Sequence, residues 1–179
     1  MKGGTPMGLT SENTLREVQK LFDMFFQGNA LFDRMVYVLD IKFNQTKFQD
    51  FMHHGISHRL PLDADRIQEF GSLRGDLFYR GALTEESKDY GSVSAALHDG
   101  ALFFAEVERQ CGTVISTAIE NGDLMYEDFT RDFEVRVVAP YIKQMIVLYN
   151  AALDYERENS IAKFNDNFES FLLKEYAGE

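Results

Sequence analysis

Only one of 179 residues is cysteine, three are proline and none is tryptophan. With Cys111 alone, neither an intrachain disulfide framework nor a cysteine-based zinc module can form. The single thiol is expected to be a small buried hydrophobe. Basic charge is also scarce: 18 Lys and Arg stand against 29 Asp and Glu, a net charge of −11. A chain so acidic lacks the phosphate-neutralising surface from which nucleic-acid binders draw affinity, so no direct nucleic-acid binding is expected. No apolar run approaches the ~20 residues that span a bilayer, so no membrane partner is expected. Residues 1–10 hold one lysine and no apolar h-region, which speaks against a secretory leader and for a cytoplasmic protein. Strand-type alternation, internal repeats, low-complexity segments, a nucleophile elbow and a phosphate-cradling loop are all missing. Gly3-Gly4 reads as part of a flexible tail.

What the chain has in quantity is large apolar side chains at helical spacing. Hydrophobic residues make up 45% and charged residues 26%, the balance of a folded domain rather than a disordered one. After a cap at Ser11 or Asn13, apolar positions recur at Leu15, Val18, Phe22, Phe25, Phe32, Val36, Leu39 and Phe43. Asn29 is the one polar intruder in that stripe. The spacing predicts a helix of about 33 residues, roughly 50 Å long, weakened by about 1 kcal/mol at Gly28. After a connection at 44–47, a second helix is expected from Phe48, with Phe51, His54, His58, Leu62, Asp65, Glu69 and Leu73 on one face. Pro61 must kink or restart it, and Asp63 and Asp65 suit a fresh helix start. A third helix is expected over 92–121, with Leu97, Ala101, Phe104, Glu108, Cys111, Ile115 and Ala118 as its stripe. Asn121-Gly122 stops it. A fourth opens at Asp123 or Leu124, carries Glu127, Glu134, Val138, Tyr141, Met145, Leu148 and Ala152, and should kink at Pro140. A fifth, shorter segment carries Ile161, Phe164, Phe168, Phe171 and Leu172. The expected organisation is a tail over 1–10, an all-α antiparallel four-helix bundle over 11–156, and a C-terminal amphipathic helix and tail over 157–179. The link between the second and third helices is the longest.

Three of the four histidines, His53, His54 and His58, fall within six residues. His54 and His58 are i, i+4 on one helical face, and continuing along that face reaches Asp65 and Glu69. Imidazole and carboxylate donors together suit iron, manganese or zinc. The plainer alternative is a solvated polar face with an acidic helix start. On the third and fourth helices, Glu108 and Glu134 lie at similar distances from the turn at 121–123. The absence of any Glu-x-x-His pair speaks against an intrabundle di-metal centre there. Pairing with Arg109, Arg131 or Arg136 is the simpler expectation. His98-Asp99 reads as a helix-start or solvent-facing pair.

The layout over residues 15–155 resembles the ferritin-like superfamily, and within it the Dps-like mini-ferritins. Phe48-Gln49-Asp50-Phe51-Met52-His53-His54 resembles the family's aromatic-x-x-Leu-His start of the second helix. Ala64-Asp65-Arg66-Ile67-Gln68-Glu69 resembles the Asp-x-x-x-Glu of its ferroxidase site, and Ile119-Glu120-Asn121-Gly122-Asp123, followed by a long helix, resembles its turn between the third and fourth helices. The resemblance implies His53 or His54, His58, Asp65 and Glu69 as ligands of non-haem iron, or of another divalent metal. His54, His58, Asp65 and Glu69 would serve Fe(II) oxidation. The Asp and Glu would come across a subunit interface, so the partner implied is a second copy: a dimer at least, and a dodecameric shell by family habit. The chain departs from the pattern where the family has a first-helix histidine, for Ile41 or Lys42 stands there. Iron capture, oxidation and storage is therefore the leading expectation. Its rival is a non-catalytic helical bundle with a structural or partner-binding role.

Overall fold

The computed structural model describes residues 8–84 and 88–176, with side chains through Phe168. Lys2 and Gly3-Gly4 of the expected tail lie outside the described residues, as do the side chains of Phe171 and Leu172. Every regular element among the described residues is helical. Helix α1, Glu12–Phe43, runs unbroken through Gly28-Asn29. Ser11 Oγ accepts the Thr14 N–H at 3.3 Å at its start. Asn44 ends it in the left-handed conformation, φ 53°. Gly28 is buried because the ring of Phe103 sits where a Cβ would be. The glycine's helix cost is thus offset by close packing between helices.

The second expected helix is two helices. Helix α2, Thr46–Gly55, gives way to a 3-10 turn at Ser57–Arg59, and α3, Leu60–Ser72, restarts with Pro61 in its first turn. Its core face is Phe48, Met52, Ile56, Leu60, Ala64 and Ile67, all fully buried. The single face expected from sequence is the outer one: His54, His58, Leu62, Asp65, Glu69 and Leu73 are exposed, and only Phe51 is half-buried. Steps of four between large apolar residues set the true register, and the tight turn carries it across Pro61.

Residues 73–84 and 88–92 then lie along α1. Tyr79 exchanges two hydrogen bonds with the Gln19 amide, at 2.6 and 3.0 Å. Gln27 reaches the Ala82 carbonyl at 3.0 Å, and Lys42 the Tyr90 carbonyl at 2.7 Å. Helix α4, Val93–Asn121, begins with Ser92 Oγ accepting from the Ala95 N–H and ends at Gly122, φ 73°. Helix α5, Leu124–Phe133, passes through a π-helical turn, Glu134–Val138, into α6, Ala139–Arg157. Pro140 has no N–H for the carbonyl four residues back, and the helix widens: the Ala139 N–H bonds Glu134 O instead. Helix α7, Ile161–Tyr176, packs on α6 and α2, with Phe48 and Phe164 edge to face at 5.0 Å.

α1 packs on α2, α3 and α4, and α4 packs on α5 and α6. At one end of this bundle Thr10 Oγ1 donates to Asp76 Oδ2 at 2.7 Å, just after α3. Ser11 Oγ donates to Asp123 Oδ2 at 2.7 Å, just before α5. At the other end Lys42 pairs with Asp89, and Gln45 reaches the Ile161 carbonyl. The described residues between α3 and α4 therefore reach both ends of the bundle, and α3 and α4 point the same way. No helix among the described residues is long and apolar enough to cross a membrane.

Asp123 also accepts from Thr14 Oγ1 at 2.5 Å and is 6% exposed. Asp123→Ala leaves the Ser11 and Thr14 hydroxyls facing an apolar methyl. It is expected to destabilise the fold by about 1.5–3 kcal/mol, read as a lower urea midpoint at unchanged slope.

Between α3 and α6, Asp63 Oδ2 accepts from the Tyr141 hydroxyl at 2.6 Å. Burial pushes the Asp63 carboxyl above its ordinary value, against the opposing pull of Tyr141, Arg66 and Arg59. An acid raised in the folded state holds its proton longer there than in the unfolded chain. Its ionisation therefore subtracts stability as pH climbs from the unfolded value near 3.9 through the folded one. Asp63→Asn keeps an acceptor for Tyr141 and removes that loss. Relative to wild type, the variant should gain stability between pH 4 and pH 7 in parallel urea titrations. A constant or shrinking difference would count against this account.

Candidate metal centre

The first turn past α2 brings two imidazoles to one carboxylate. His53 comes from the last turn of α2, His58 from the 3-10 turn, and Asp33 from the middle of α1. His53 Nε2 lies 2.6 Å from His58 Nε2 and 3.9 Å from Asp33 Oδ1. One donor atom from each of the three falls within 4.8 Å of the others. The rings of His53 and His58 meet edge to face at 4.1 Å. His53 is half-buried, Asp33 more open, and His58 exposed. The centre therefore has a supported inner side and an open outer one.

The turn is placed by polar contacts from α1. Asn29 Nδ2 donates to the Ser57 carbonyl at 3.0 Å and to Ser57 Oγ at 3.1 Å. Ser57 Oγ in turn hydrogen-bonds Asp33 Oδ1. The polar intruder in the α1 stripe is thus the clamp that fixes the turn carrying His58. Behind His53, the Gln49 amide lies 3.4 Å from Nδ1. The amide nitrogen faces the ring and donates, so Nδ1 accepts and the ring proton sits on Nε2. Offering the Nε2 lone pair to a metal requires that proton to move to Nδ1 and the amide to flip so that its oxygen accepts.

The donor set fits a divalent first-row transition metal. Two imidazole nitrogens and one carboxylate oxygen leave further positions for water or substrate, the pattern of open non-haem iron and catalytic zinc sites. The 2.6 Å contact is a hydrogen bond from one ring nitrogen to the other. Nitrogens about 2.0–2.1 Å from a tetrahedral ion stand about 3.3 Å apart, so the rings must open by about 0.7 Å. The exposed side chain of His58 can supply that movement.

The residues proposed from sequence divide. His53 and His58 meet, joined by Asp33, which sequence reasoning missed. His54 turns to Asp50, its Nε2 3.4 Å from Oδ1, while its ring stays 5.1 Å from that of His53. Asp65 and Glu69 lie exposed on the outer face of α3 and join no three-donor group among the described residues. The position of the family's first-helix histidine does not reach the centre either: Ile41 is 82% exposed, and Lys42 is held by Asp89 and the Tyr90 carbonyl. A signal for Asp33 does exist in the sequence. Asn29 and Asp33 are i, i+4, a polar strip beside the apolar stripe of α1.

Glu108 and Glu134 both act on Cys111. Burial pushes the Cys111 thiol up to about 12, and the charges of Glu134 and Glu108 add to the effect. Glu108 is exposed rather than in the core, and Glu134 is half-buried. The expected arginines pair elsewhere: Arg109 with Glu106, Arg131 with Glu127 and Arg136 with Asp132. His98 is exposed over the Tyr149 ring, and Asp99 accepts from the Tyr90 hydroxyl at 2.6 Å. The sequence matches no protein-family model and no curated protein.

Proposed function

We propose that this protein is a ferritin-like helical bundle that binds a divalent transition metal at Asp33, His53 and His58. The observation that carries the reading is the convergence of those three donors from α1, α2 and the intervening turn. The path of the chain supports the architecture: four helical rods with one long crossover between the second and third, the connectivity of ferritin-like bundles. In the fuller form of the proposal Fe(II) is the substrate. Each ion gives one electron to dioxygen or peroxide, and the Fe(III) product is stored or detoxified. The open outer side of the centre admits the ion and the oxidant. In this proposal Asp65 and Glu69, which are exposed on α3, serve a second copy, and the working unit is a homo-oligomer of at least two chains.

Purified protein should carry, or take up after dialysis, one transition-metal ion per chain by elemental analysis. It should also oxidise added Fe(II) in air faster than a protein-free control. Metal uptake without faster oxidation would keep the metal site and discard the oxidase. Failure of both would favour the rival, a non-catalytic structural or partner-binding bundle. One observation speaks for that rival: Lys42, near the family's first-helix histidine, is committed to Asp89. Light scattering reads the oligomer separately.

A further inference from the structure

A second site lies on the other side of α3, where α2 and α3 face the π-helical turn and α6. A cleft of about 260 Å³ opens there. Three guanidinium groups line it: Arg59 and Arg66 from the α3 side, and Arg136 from the π-helical turn. Phe51, Val137 and Tyr141 supply apolar wall. Asp63 is the only carboxylate in the lining among the described residues, and it is buried and engaged by the Tyr141 hydroxyl. In a chain with 18 basic residues and a net charge of −11, three arginines around one cleft reverse the prevailing sign.

Their partners leave capacity. Arg66 Nη1 stands 3.7 Å from Asp63 Oδ1, a loose contact. Arg136 Nε meets Asp132 at 2.6 Å on the open surface, where an exposed pair is easily exchanged. Arg59 has no carboxylate within ion-pair distance among the described residues, although it points its charge toward the buried Asp63 and Tyr141. The spacing is built in: Arg59, Asp63 and Arg66 are i, i+4, i+7 along one face. The wider π-helical turn, a feature often found at functional sites, brings Arg136 and Val137 to the opposite wall.

We propose that this cleft binds a small oxyanion, a phosphate or carboxylate head on a compact apolar body. Arg59, Arg66 and Arg136 take the head, and Phe51 and Tyr141 lie against the body. Planar guanidinium forks match the paired oxygens of such heads better than an ammonium does, and no lysine lines the cleft. Its volume falls below the ~300–1,000 Å³ typical of larger-ligand pockets, which confines the body to about one ring. The site uses none of the three metal-type donors and stands independently of the metal.

The test uses the full chain stripped of metal. Phenyl phosphate and benzoate are titrated in parallel by calorimetry, with phenol as the uncharged body alone. At least one anion should bind saturably at one site per chain, about tenfold or more tighter than phenol, and should shift arginine Nε–H resonances. The tighter of the two identifies the head group. Arg59→Gln with Arg136→Gln replaces two exposed groups and should weaken that binding about tenfold or more while leaving the helical signal unchanged. His53→Ala should leave it intact. The proposal is overturned if neither anion binds tighter than phenol, or if the double variant binds as wild type does.

Discussion

Replacing His53 with alanine is expected to weaken transition-metal binding about 100-fold or more, which in practice removes stoichiometric uptake. His53 is the hub of the cluster: its Nε2 approaches both His58 and Asp33, and Gln49 backs its other nitrogen. Loss of even an outer partner of a metal ligand typically costs about 10–100-fold, so loss of the central ligand should cost at least the upper figure. Its neighbour provides the control. His54 is two-thirds exposed and directed at Asp50, so His54→Ala should change affinity less than about threefold, within the range of a surface substitution. Calorimetric titration with Zn(II) or Co(II) reads both. If His53→Ala binds as wild type does while His54→Ala does not, the centre has been drawn around the wrong imidazole. Asp33→Asn separates the carboxylate's contribution from that of the rings.

Phe104→Ala is expected to cost about 3–5 kcal/mol of folding stability. Phe104 is fully buried in α4 and joins three helices. Its ring lies parallel to that of Tyr141 in α6 at 4.6 Å, and 5.4 Å from that of Phe32 in α1. Truncation removes the transfer energy of the ring and leaves a void bounded by rigid aromatics that cannot collapse into it. Leu102, two residues earlier and half-exposed, is the comparison, and Leu102→Ala should stay within about 0.5 kcal/mol. Guanidinium unfolding would show the difference as a shifted midpoint at constant slope. A loss below about 1 kcal/mol for Phe104→Ala would mean that α6 and α1 repack around the gap.

Both sites show how far local pattern reaches. In α1 and α4 the apolar spacing was enough, because each helix is long, capped by serine, and closed by Asn44 or Gly122. Most of their expected stripes are buried; Leu15, Asn29, Phe43 and Ala101 are half-buried, and Glu108 is exposed. The second rod failed locally. Its histidines and acids follow a helical spacing as regular as that of its apolar residues, and they mark the solvent face. Burial energy decides between two such stripes, and it favours Phe48, Met52, Ile56 and Leu60 over any polar set. Pro140 signalled an interruption, but a proline can be met by a kink, a restart or a widened turn, and packing on α4 selects among them. Of the proposed metal centre, the histidine cluster was legible. Asp33 was legible only as part of a polar strip with Asn29, because its partnership with His53 exists only once α2 folds back on α1.

The knots that hold the start of α1 bear on the order in which the chain can fold. Thr10 is tied to a residue 66 positions onward and Ser11 to one 112 positions onward. Such long-range closures carry the largest entropy cost and come late, whereas the α1–α2 hairpin needs only the turn at Asn44. During synthesis from the N-terminal side, the side chain that caps α1 is therefore solvated until the chain past Asp123 has emerged, well over a hundred residues after the cap itself.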